Sequence, residues 1–174
     1  MITIISATNR KESNTIKVAR EYERLLIERD QPVQVLSLQD FPKDMLSDMM
    51  YDEDNETFLH IQQQYFFPID KIIFILPEYN GSMPGILKML IDASDIKRAF
   101  YGKKALLVGI ATGRSGNVRG MDHLTGILHY LKVTVHWNKL PISKINHEID
   151  PDGRFYIPET TKVVQSQIDD FILF

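Results

Sequence analysis

The 174-residue sequence contains no cysteine and no long apolar run. Without cysteine the chain can form no disulfide, thiolate nucleophile, iron–sulfur cluster or cysteine-based zinc site. No apolar stretch approaches the roughly 18 residues that a membrane span requires. The short apolar run at residues 1–6 also lacks the basic region and the length of a signal peptide. We therefore expect a cytoplasmic protein that does not span a membrane.

The sequence also lacks an excess of charge of either sign. Its 20 Lys and Arg residues against 23 Asp and Glu residues leave a net charge of −3. Such a balance provides no global attraction for nucleic acid or anionic lipid, so neither partner is expected. With 44% hydrophobic and 25% charged residues, the composition is that of an ordinary globular protein. The length suits one domain, and we expect it to span residues 1–174.

Short apolar runs alternate along the chain with segments of helical periodicity. This alternation predicts an α/β fold with a parallel sheet. We expect a doubly wound sheet of five strands with helices on both faces. The predicted strands are residues 2–6, 33–38, 71–76, 105–111 and 133–137. The predicted helices are residues 16–30, 57–64, a segment starting at Pro84, 118–131 and 160–174.

Two stretches interrupt this rhythm. Residues 41–67 mix acidic, methionine and aromatic residues, and residues 140–158, with three prolines, predict an irregular loop or a small hairpin. The apolar residues of the first stretch suit either an ordinary core or a surface that contacts a partner subunit, and we favour the surface. They are Met45, Met49, Met50, Tyr51, Phe66 and Phe67.

The loop after the first predicted strand is rich in hydrogen-bond donors and runs directly into a helix. In doubly wound sheets, ligands bind beyond the carboxyl ends of the strands. A helix N-terminus with free amides, hydroxyls and a guanidinium suits a phosphate. The loop lacks both GxGxxG and the P-loop motif, so a monophosphate fits better than a pyrophosphate. The alternative is that Ser13 only caps the helix. The candidate donors are Thr8, Arg10, Ser13, Asn14 and Thr15.

The loops after the third and fourth strands predict the walls of a site for a flat ligand. Tyr79 offers an aromatic face, and Gly81 permits close approach of the backbone. Residues 112–116 form a second glycine-containing turn. The alternative for the loop after the third strand is a Pro/Gly turn whose tyrosine packs on its own loop. The alternative for the loop after the fourth strand is a tight strand-to-helix turn.

Other chemistries find little support in the sequence. The five histidines show no HExxH motif or other ligand spacing, so we expect no metal site. The acidic stretch 48–56 lacks the glycine and the spacing of an EF-hand. No GxSxG nucleophile elbow of a hydrolase is present.

Three segments together resemble the NADPH-dependent FMN reductase family. The resemblance implies a flavodoxin-like, doubly wound five-stranded parallel sheet in the order 2-1-3-4-5, with helices on both faces. The three segments are Ser-Ala-Thr-Asn-Arg-Lys-Glu-Ser-Asn-Thr at 6–15, Pro-Glu-Tyr-Asn-Gly-Ser-Met-Pro-Gly at 77–85, and Ala-Thr-Gly-Arg-Ser-Gly at 111–116. The middle segment is the most specific. The chain departs from the family pattern at Ala7, at Ala93, where a tryptophan is common, and at Arg114-Ser115.

The resemblance implies an FMN-dependent oxidoreductase with NAD(P)H as cosubstrate and a quinone, azo compound, flavin or similar small molecule as acceptor. It implies no catalytic acid or base from the protein, because the flavin carries the chemistry. It implies that the first loop holds the phosphate, the second lies along the ring, and the third closes its pyrimidine side. The residues it assigns to cofactor binding are Thr8, Arg10, Ser13, Asn14, Thr15, Pro77, Glu78, Tyr79, Asn80, Gly81, Thr112, Gly113 and Gly116.

Three questions stay open at the level of sequence. An FMN-binding electron carrier or sensor without enzymatic activity is the alternative function. The resemblance implies a homodimer or a homotetramer without distinguishing them. The choice between NADPH and NADH is also open, since Arg10, Arg114 and Arg119 are all candidates for contacting a 2′-phosphate.

Overall fold

A parallel β-sheet forms the centre of the protein, whose computed structural model describes residues 1–42, 47–51 and 55–174. Its strands are β1 (Ile2–Ser6), β2 (Val33–Ser37), β3 (Lys71–Pro77), β4 (Lys104–Ile110), β5 (Thr134–Val135) and β6 (Leu140–Ile142). They are ordered β2-β1-β3-β4-β5, and β6 also pairs with β4. The predicted flavodoxin-like sheet order is therefore confirmed.

The strands are apolar along their length because both faces of the sheet are covered. In β3, Ile72, Phe74 and Leu76 face one core cluster. The alternating residues Ile73 and Ile75 face the other. All five residues of β1 are buried as well. This continuous burial explains why the strands show hydrophobic runs without polar alternation.

Helices cover both faces of the sheet. They are α1 (Asn14–Ile27), α2 (Glu56–Tyr65), α3 (Gly85–Ala93), α4 (Ile96–Ala99), α5 (Val118–Tyr130) and α6 (Pro158–Leu173). Residues of α1 and α6 pack into one core cluster. Residues of α2, α3 and α5 pack into the other. None of these helices, within the described ranges, is long and apolar enough to cross a membrane.

The periodicity located most elements to within two or three residues. The short helix α4 was missed, although Asp95 caps it by accepting hydrogen bonds from the amides of Lys97 and Arg98. A four-residue helix presents too little periodicity to be recognised. The predicted start of α3 at Pro84 is shifted by one position, since Pro84 is the N-cap of α3.

The fifth predicted strand is wrong in extent. Only Thr134–Val135 pairs with the start of β4. The end of β4 pairs instead with Leu140–Ile142, a segment that we expected in an irregular loop or small hairpin. The edge strand is thus split by residues 136–139. Gln167 of α6 occupies the break, where its amide donates hydrogen bonds to the carbonyls of Leu107, at 3.5 Å, and Asn138, at 2.7 Å. A contact from a distant helix permits this break, so no local pattern predicts it.

The expected apolar partner surface in the 41–67 stretch is also partly wrong. Phe66 is fully buried in the core and makes an edge-to-face contact with Phe100 at 5.7 Å. Met50 and Phe67 pack partly against the same core, and Tyr51 is exposed. Met45 and the side chain of Met49 lie outside the described residues.

His136 is buried beside the split edge strand. Its ring stacks on Trp137 at 5.2 Å and makes edge contacts with Phe171 and Phe174 of the C-terminal segment. Burial lowers the pKa of the His136 imidazole below its usual value, and the nearby charge of Asp170 opposes this effect. The folded protein therefore resists protonation of this side chain.

We predict that the free energy of unfolding falls as the pH drops below about 6.5, the usual pKa of histidine. Below that pH the unfolded chain binds a proton at His136 that the folded protein resists, so the free energy of unfolding decreases. The decrease stops once the pH has passed the lowered pKa, because both states are then protonated. Urea unfolding between about pH 5 and 7.5 measures the effect. His136→Phe should reduce this dependence, whereas His129→Gln, at an exposed position, should not. If the free energy of unfolding depends on pH in the same way in the wild type and in His136→Phe, His136 is not the group responsible.

Candidate functional site

Three loops meet in one cleft at the carboxyl ends of β1, β3 and β4. The cleft has a volume of about 290 Å³ and opens to solvent. Strands β1 and β3 are neighbours in the sheet, although β2 lies between them in sequence. The cleft therefore lies at the point where the strand order reverses, which is where doubly wound sheets bind ligands. Its walls are Arg10, Lys11, Glu12, Ser13, Asn14, Thr15, Pro77, Glu78, Tyr79, Ile110, Ala111, Thr112 and Ile145.

The N-terminus of α1 forms one end of the cleft. Ser13 caps the helix by accepting a hydrogen bond from the amide of Ile16 at 3.3 Å. The cap leaves the Ser13 hydroxyl hydrogen available for donation. Among the described residues, the amides of Asn14 and Thr15 have no acceptor, as expected in a first helical turn. Both roles considered for Ser13 are thus compatible, because it caps α1 and still faces the cleft.

Thr8 and Tyr79 join the first loop to the loop after β3. The Thr8 hydroxyl is almost fully buried and lies 2.5 Å from the Tyr79 hydroxyl. It also accepts a hydrogen bond from the amide of Arg10 at 3.2 Å. The Arg10 guanidinium lies 6.0 Å from the centre of the Tyr79 ring. Thr8 therefore holds the two walls together rather than lining the cleft itself.

Residues 79–82 form a tight hairpin turn. Tyr79 and Ser82 exchange two backbone hydrogen bonds of 2.9 and 3.0 Å. The central residues Asn80 and Gly81 both have positive φ, at 52° and 73°, as a type I′ turn requires. Their amides have no acceptor among the described residues. The Asn-Gly pair thus sets the turn and leaves two donors beside Tyr79.

The loop after β4 forms the third wall and contains two different kinds of glycine. The Ser115 hydroxyl donates a hydrogen bond to the Glu78 carboxylate, which links this loop to the second one. Gly113 is exposed, with open space around the position of a side chain. At Gly116, where φ is +58°, a Cβ atom would lie 2.8 Å from the backbone of Pro141. Gly116 therefore serves the packing of the loop on β6.

Two residues that sequence reasoning missed, Ile145 and Asn117, depend on contacts between distant parts of the chain. Ile145 lines the cleft because the backbone of Lys144 and Ile145 bonds to Gly113 and Ala111, which depends on the pairing of β6 with β4. Asn117 is buried, and its amide donates to the carbonyls of Leu76 and Pro77 at 3.1 and 3.0 Å. Asparagine is favoured both in the left-handed conformation and at a helix N-cap, so the position of Asn117 before α5 was a local signal.

The structure brings most of the predicted cofactor-binding residues together. Eight line the cleft, namely Arg10, Ser13, Asn14, Thr15, Pro77, Glu78, Tyr79 and Thr112. Thr8 supports the wall from inside, and Asn80, Gly81 and Gly113 belong to the loops that border the cleft. Gly116 instead packs on Pro141. Sequence reasoning did not include Lys11, Glu12, Ile110 or Ala111, which also line the cleft.

Comparison with known proteins assigns the chain to a family. Residues 1–146 match the family described as NADPH-dependent FMN reductase. The chain belongs to this family of oxidoreductases. A 2-hydroxy-1,4-benzoquinone reductase from a Burkholderia species is 28% identical over 127 residues, which are 70% of this chain and 68% of that protein. An NAD(P)H-dependent FMN reductase from Pseudomonas aeruginosa is 33% identical over 102 residues, which are 57% of this chain and 55% of that protein.

Solved structures agree on the fold of this FMN reductase family member. A flavoenzyme NAD(P)H:(acceptor) oxidoreductase from Paracoccus denitrificans superimposes with a TM-score of 0.83. The two chains are 23% identical, and the match covers 98% of this chain and 94% of the other. At this identity the similarity establishes the fold and leaves the roles of individual residues to the geometry of the cleft.

The residues present suit a phosphorylated flavin. A phosphate needs several convergent donors, and Arg10, Ser13 and the amides of Asn14 and Thr15 lie at one end of the cleft. Ser6 at the end of β1 has the single buried side-chain polar atom, within the described ranges, that lacks a hydrogen-bond partner. It directly precedes the donor-rich loop. Ser6 is fully buried and does not line the cleft, so its hydroxyl is not among the donors that a ligand in the cleft could reach.

We predict that Gly116→Ala destabilises the protein by roughly 1–3 kcal/mol, because it adds a Cβ atom at positive φ against the backbone of Pro141. Gly113→Ala is the matched control and should change the free energy of unfolding by no more than about 0.5 kcal/mol, since its surroundings are open. Urea unfolding of the flavin-free protein measures both. Equal effects of the two substitutions would show that the two glycines do not differ as described.

Proposed function

We propose that the chain is an FMN-dependent NAD(P)H oxidoreductase that reduces a quinone or a similar small acceptor. The observation that carries this proposal is the convergence of three donor-bearing loops on one cleft at the switch point of the sheet. Family membership supports an FMN-dependent oxidoreductase. The acceptor and the roles of individual residues go beyond that support and are proposed from the cleft.

The end of the cleft beside α1 would hold the FMN phosphate. There the helix dipole and the free amides of Asn14 and Thr15 favour an anion. The dipole contributes about 0.3–1 kcal/mol, whereas a hydrogen bond to a charged group contributes about 1.5–3 kcal/mol. The guanidinium of Arg10 and the hydroxyl of Ser13 should therefore contribute more to phosphate affinity than the dipole does.

The other two loops would bind the isoalloxazine ring. Tyr79 supplies an aromatic wall, and the amides of Asn80, Gly81, Thr112 and Gly113 have no acceptor among the described residues. Amide donors of this kind can stabilise negative charge on a bound ring without carrying charge themselves. Bound FMN would supply the redox chemistry, taking a hydride from NAD(P)H and passing the electrons to the acceptor. The chain then needs to supply binding and orientation rather than a general acid or base.

A quinone is the acceptor that we favour. The cleft is partly open and is bordered by Tyr79 and by apolar residues at the end of β4, Ile110 and Ala111, which suits a flat, partly apolar molecule. The benzoquinone reductase similarity points to the same class. An azo compound or a second flavin has the same flatness, so relative turnover of these three acceptors is the measurement that ranks them.

The rival function is that of an FMN-binding electron carrier. Stoichiometric titration with NADPH in the absence of oxygen distinguishes the two. Direct two-electron reduction by one equivalent of NADPH, followed by reoxidation with a quinone, supports the oxidoreductase. Failure of both NADPH and NADH to reduce the FMN-loaded protein would leave only the carrier function.

We predict that Arg10→Ala weakens FMN binding about tenfold to hundredfold, because it removes a charged donor to the phosphate. Riboflavin, which lacks the phosphate, should bind both proteins equally. Titration of flavin-free protein, followed by quenching of flavin fluorescence, measures both affinities. Arg20→Ala is the control, since Arg20 is exposed and pairs with Glu23 on the same helix at 2.8 Å.

Two outcomes of this titration would contradict different statements. A wild-type protein that binds no FMN would overturn the proposed function. An equal loss of FMN and riboflavin affinity in Arg10→Ala would overturn only the assignment of Arg10 to the phosphate.

We also propose a homodimer formed through a groove between α3–α4 and α5. The groove is largely apolar, with a volume of about 410 Å³, and is bordered by Tyr130, which is 82% exposed. Lys88 and Asp92 lie on its rim and form an ion pair of 2.7 Å. In a dimer with a two-fold axis, Lys88 of one copy could pair with Asp92 of the other around the apolar groove. The cytoplasmic location stays a prediction from the sequence.

We predict that Tyr130→Glu converts this dimer to a monomer, because it places a charge in the apolar contact. Tyr156→Glu is the control, since Tyr156 is exposed but lies outside the groove. Light scattering coupled to size-exclusion chromatography measures the mass of each. A wild-type monomer, or a dimer unaffected by Tyr130→Glu, would overturn this interface.

A further inference from the structure

The first turns of α5 lie against the Asn80–Gly81 turn and present a second group of donors. The Arg119 guanidinium lies 3.5 Å from the position that a Cβ atom would take at Gly81. One helical turn further on, His123 Nδ1 lies 2.8 Å from the Ser82 hydroxyl. Because Nδ1 is engaged, Nε2 is the ring nitrogen left for another partner. An arginine and a histidine thus flank a turn whose amides are unengaged among the described residues.

The charge of Arg119 is uncompensated within the described part of the chain, where no ion pair includes it. The single carboxylate on α5, that of Asp122, pairs with Lys139 at 2.6 Å. An exposed guanidinium beside neutral donors, without a carboxylate partner, is suited to binding an anion.

This donor group is distinct from the one at α1. Arg119 and His123 border the turn after Tyr79, whereas the Tyr79 hydroxyl bonds to Thr8 in the first loop. Neither Arg119 nor His123 lines the cleft. The single phosphate of FMN is accounted for by Arg10, Ser13 and the α1 amides. A second anionic group, on a molecule that approaches the cleft from outside, would suit the Arg119 side.

We propose that Arg119 and His123 bind the 2′-phosphate of NADPH and make the chain prefer NADPH to NADH. This inference rests on the proposed function, in which NAD(P)H is the cosubstrate. The same donors could instead contact the diphosphate bridge, which NADPH and NADH share. A contact with the bridge would favour both nucleotides equally, whereas a contact with the 2′-phosphate would favour NADPH alone.

The experiment compares Arg119→Ala with Arg114→Ala, an exposed arginine on the neighbouring loop. For the FMN-loaded proteins, KM for NADPH should rise about tenfold to hundredfold in Arg119→Ala, with KM for NADH and kcat little changed. Arg119→Lys should recover part of the loss, because it keeps the charge but not the planar fork. Arg114→Ala should leave the ratio of the two KM values as in the wild type.

A binding measurement independent of flavin and turnover completes the test. Calorimetric titration of flavin-free protein with 2′,5′-ADP should show binding that Arg119→Ala and His123→Ala weaken, while 5′-ADP should bind weakly to all of them. Equal losses for NADPH and NADH, or a wild type without preference, would overturn the inference and leave the proposed function intact. A wild-type protein that binds FMN but oxidises neither nucleotide would instead overturn the proposed function.

Discussion

The adjacency of β1 and β3 is the constraint on which the site depends. Parallel pairing from Ile2–Lys71 to Ser6–Ile75 aligns the ends of the two strands, and the β3–β4 pairing extends the alignment to a third strand. Three loops far apart in sequence must then leave the sheet side by side. Because each strand is buried on both faces, a shift in register would expose apolar residues, which keeps the loops in place.

Hydrogen bonds between side chains of different loops add to the alignment by the strands. Thr8 and Tyr79 join the first and second loops, Glu78 and Ser115 join the second and third, and Asn117 ties the end of β3 to α5. Each link connects residues at least 37 positions apart. The cleft is therefore shaped before any ligand binds, which reduces the entropy lost on binding.

The sequence predicts the repetitive parts of this structure well. Buried strands and amphipathic helices have periodic patterns, so most elements could be predicted, as could the loops around Ser13, Tyr79 and Thr112. The split edge strand could not, because Gln167 of α6 satisfies the carbonyl that the break leaves unpaired. The same holds for Ile145, which reaches the cleft only through the pairing of β6. Contacts of this range leave no local pattern in the sequence.

Net charge is a poor guide to the electrostatics of the site. The chain carries a charge of −3, which argues against a polyanionic partner. Yet no ion pair in the described ranges includes Arg10 or Arg119, while cations remote from the cleft, such as Arg24 and Arg29, are paired with carboxylates. Arg10 and Arg119 thus keep their charge without an ion-pair partner in the described ranges, beside the loops that border the cleft. Because the field of a few cations acts over about a Debye length, such charges can attract a small phosphorylated ligand locally even where the net charge is negative.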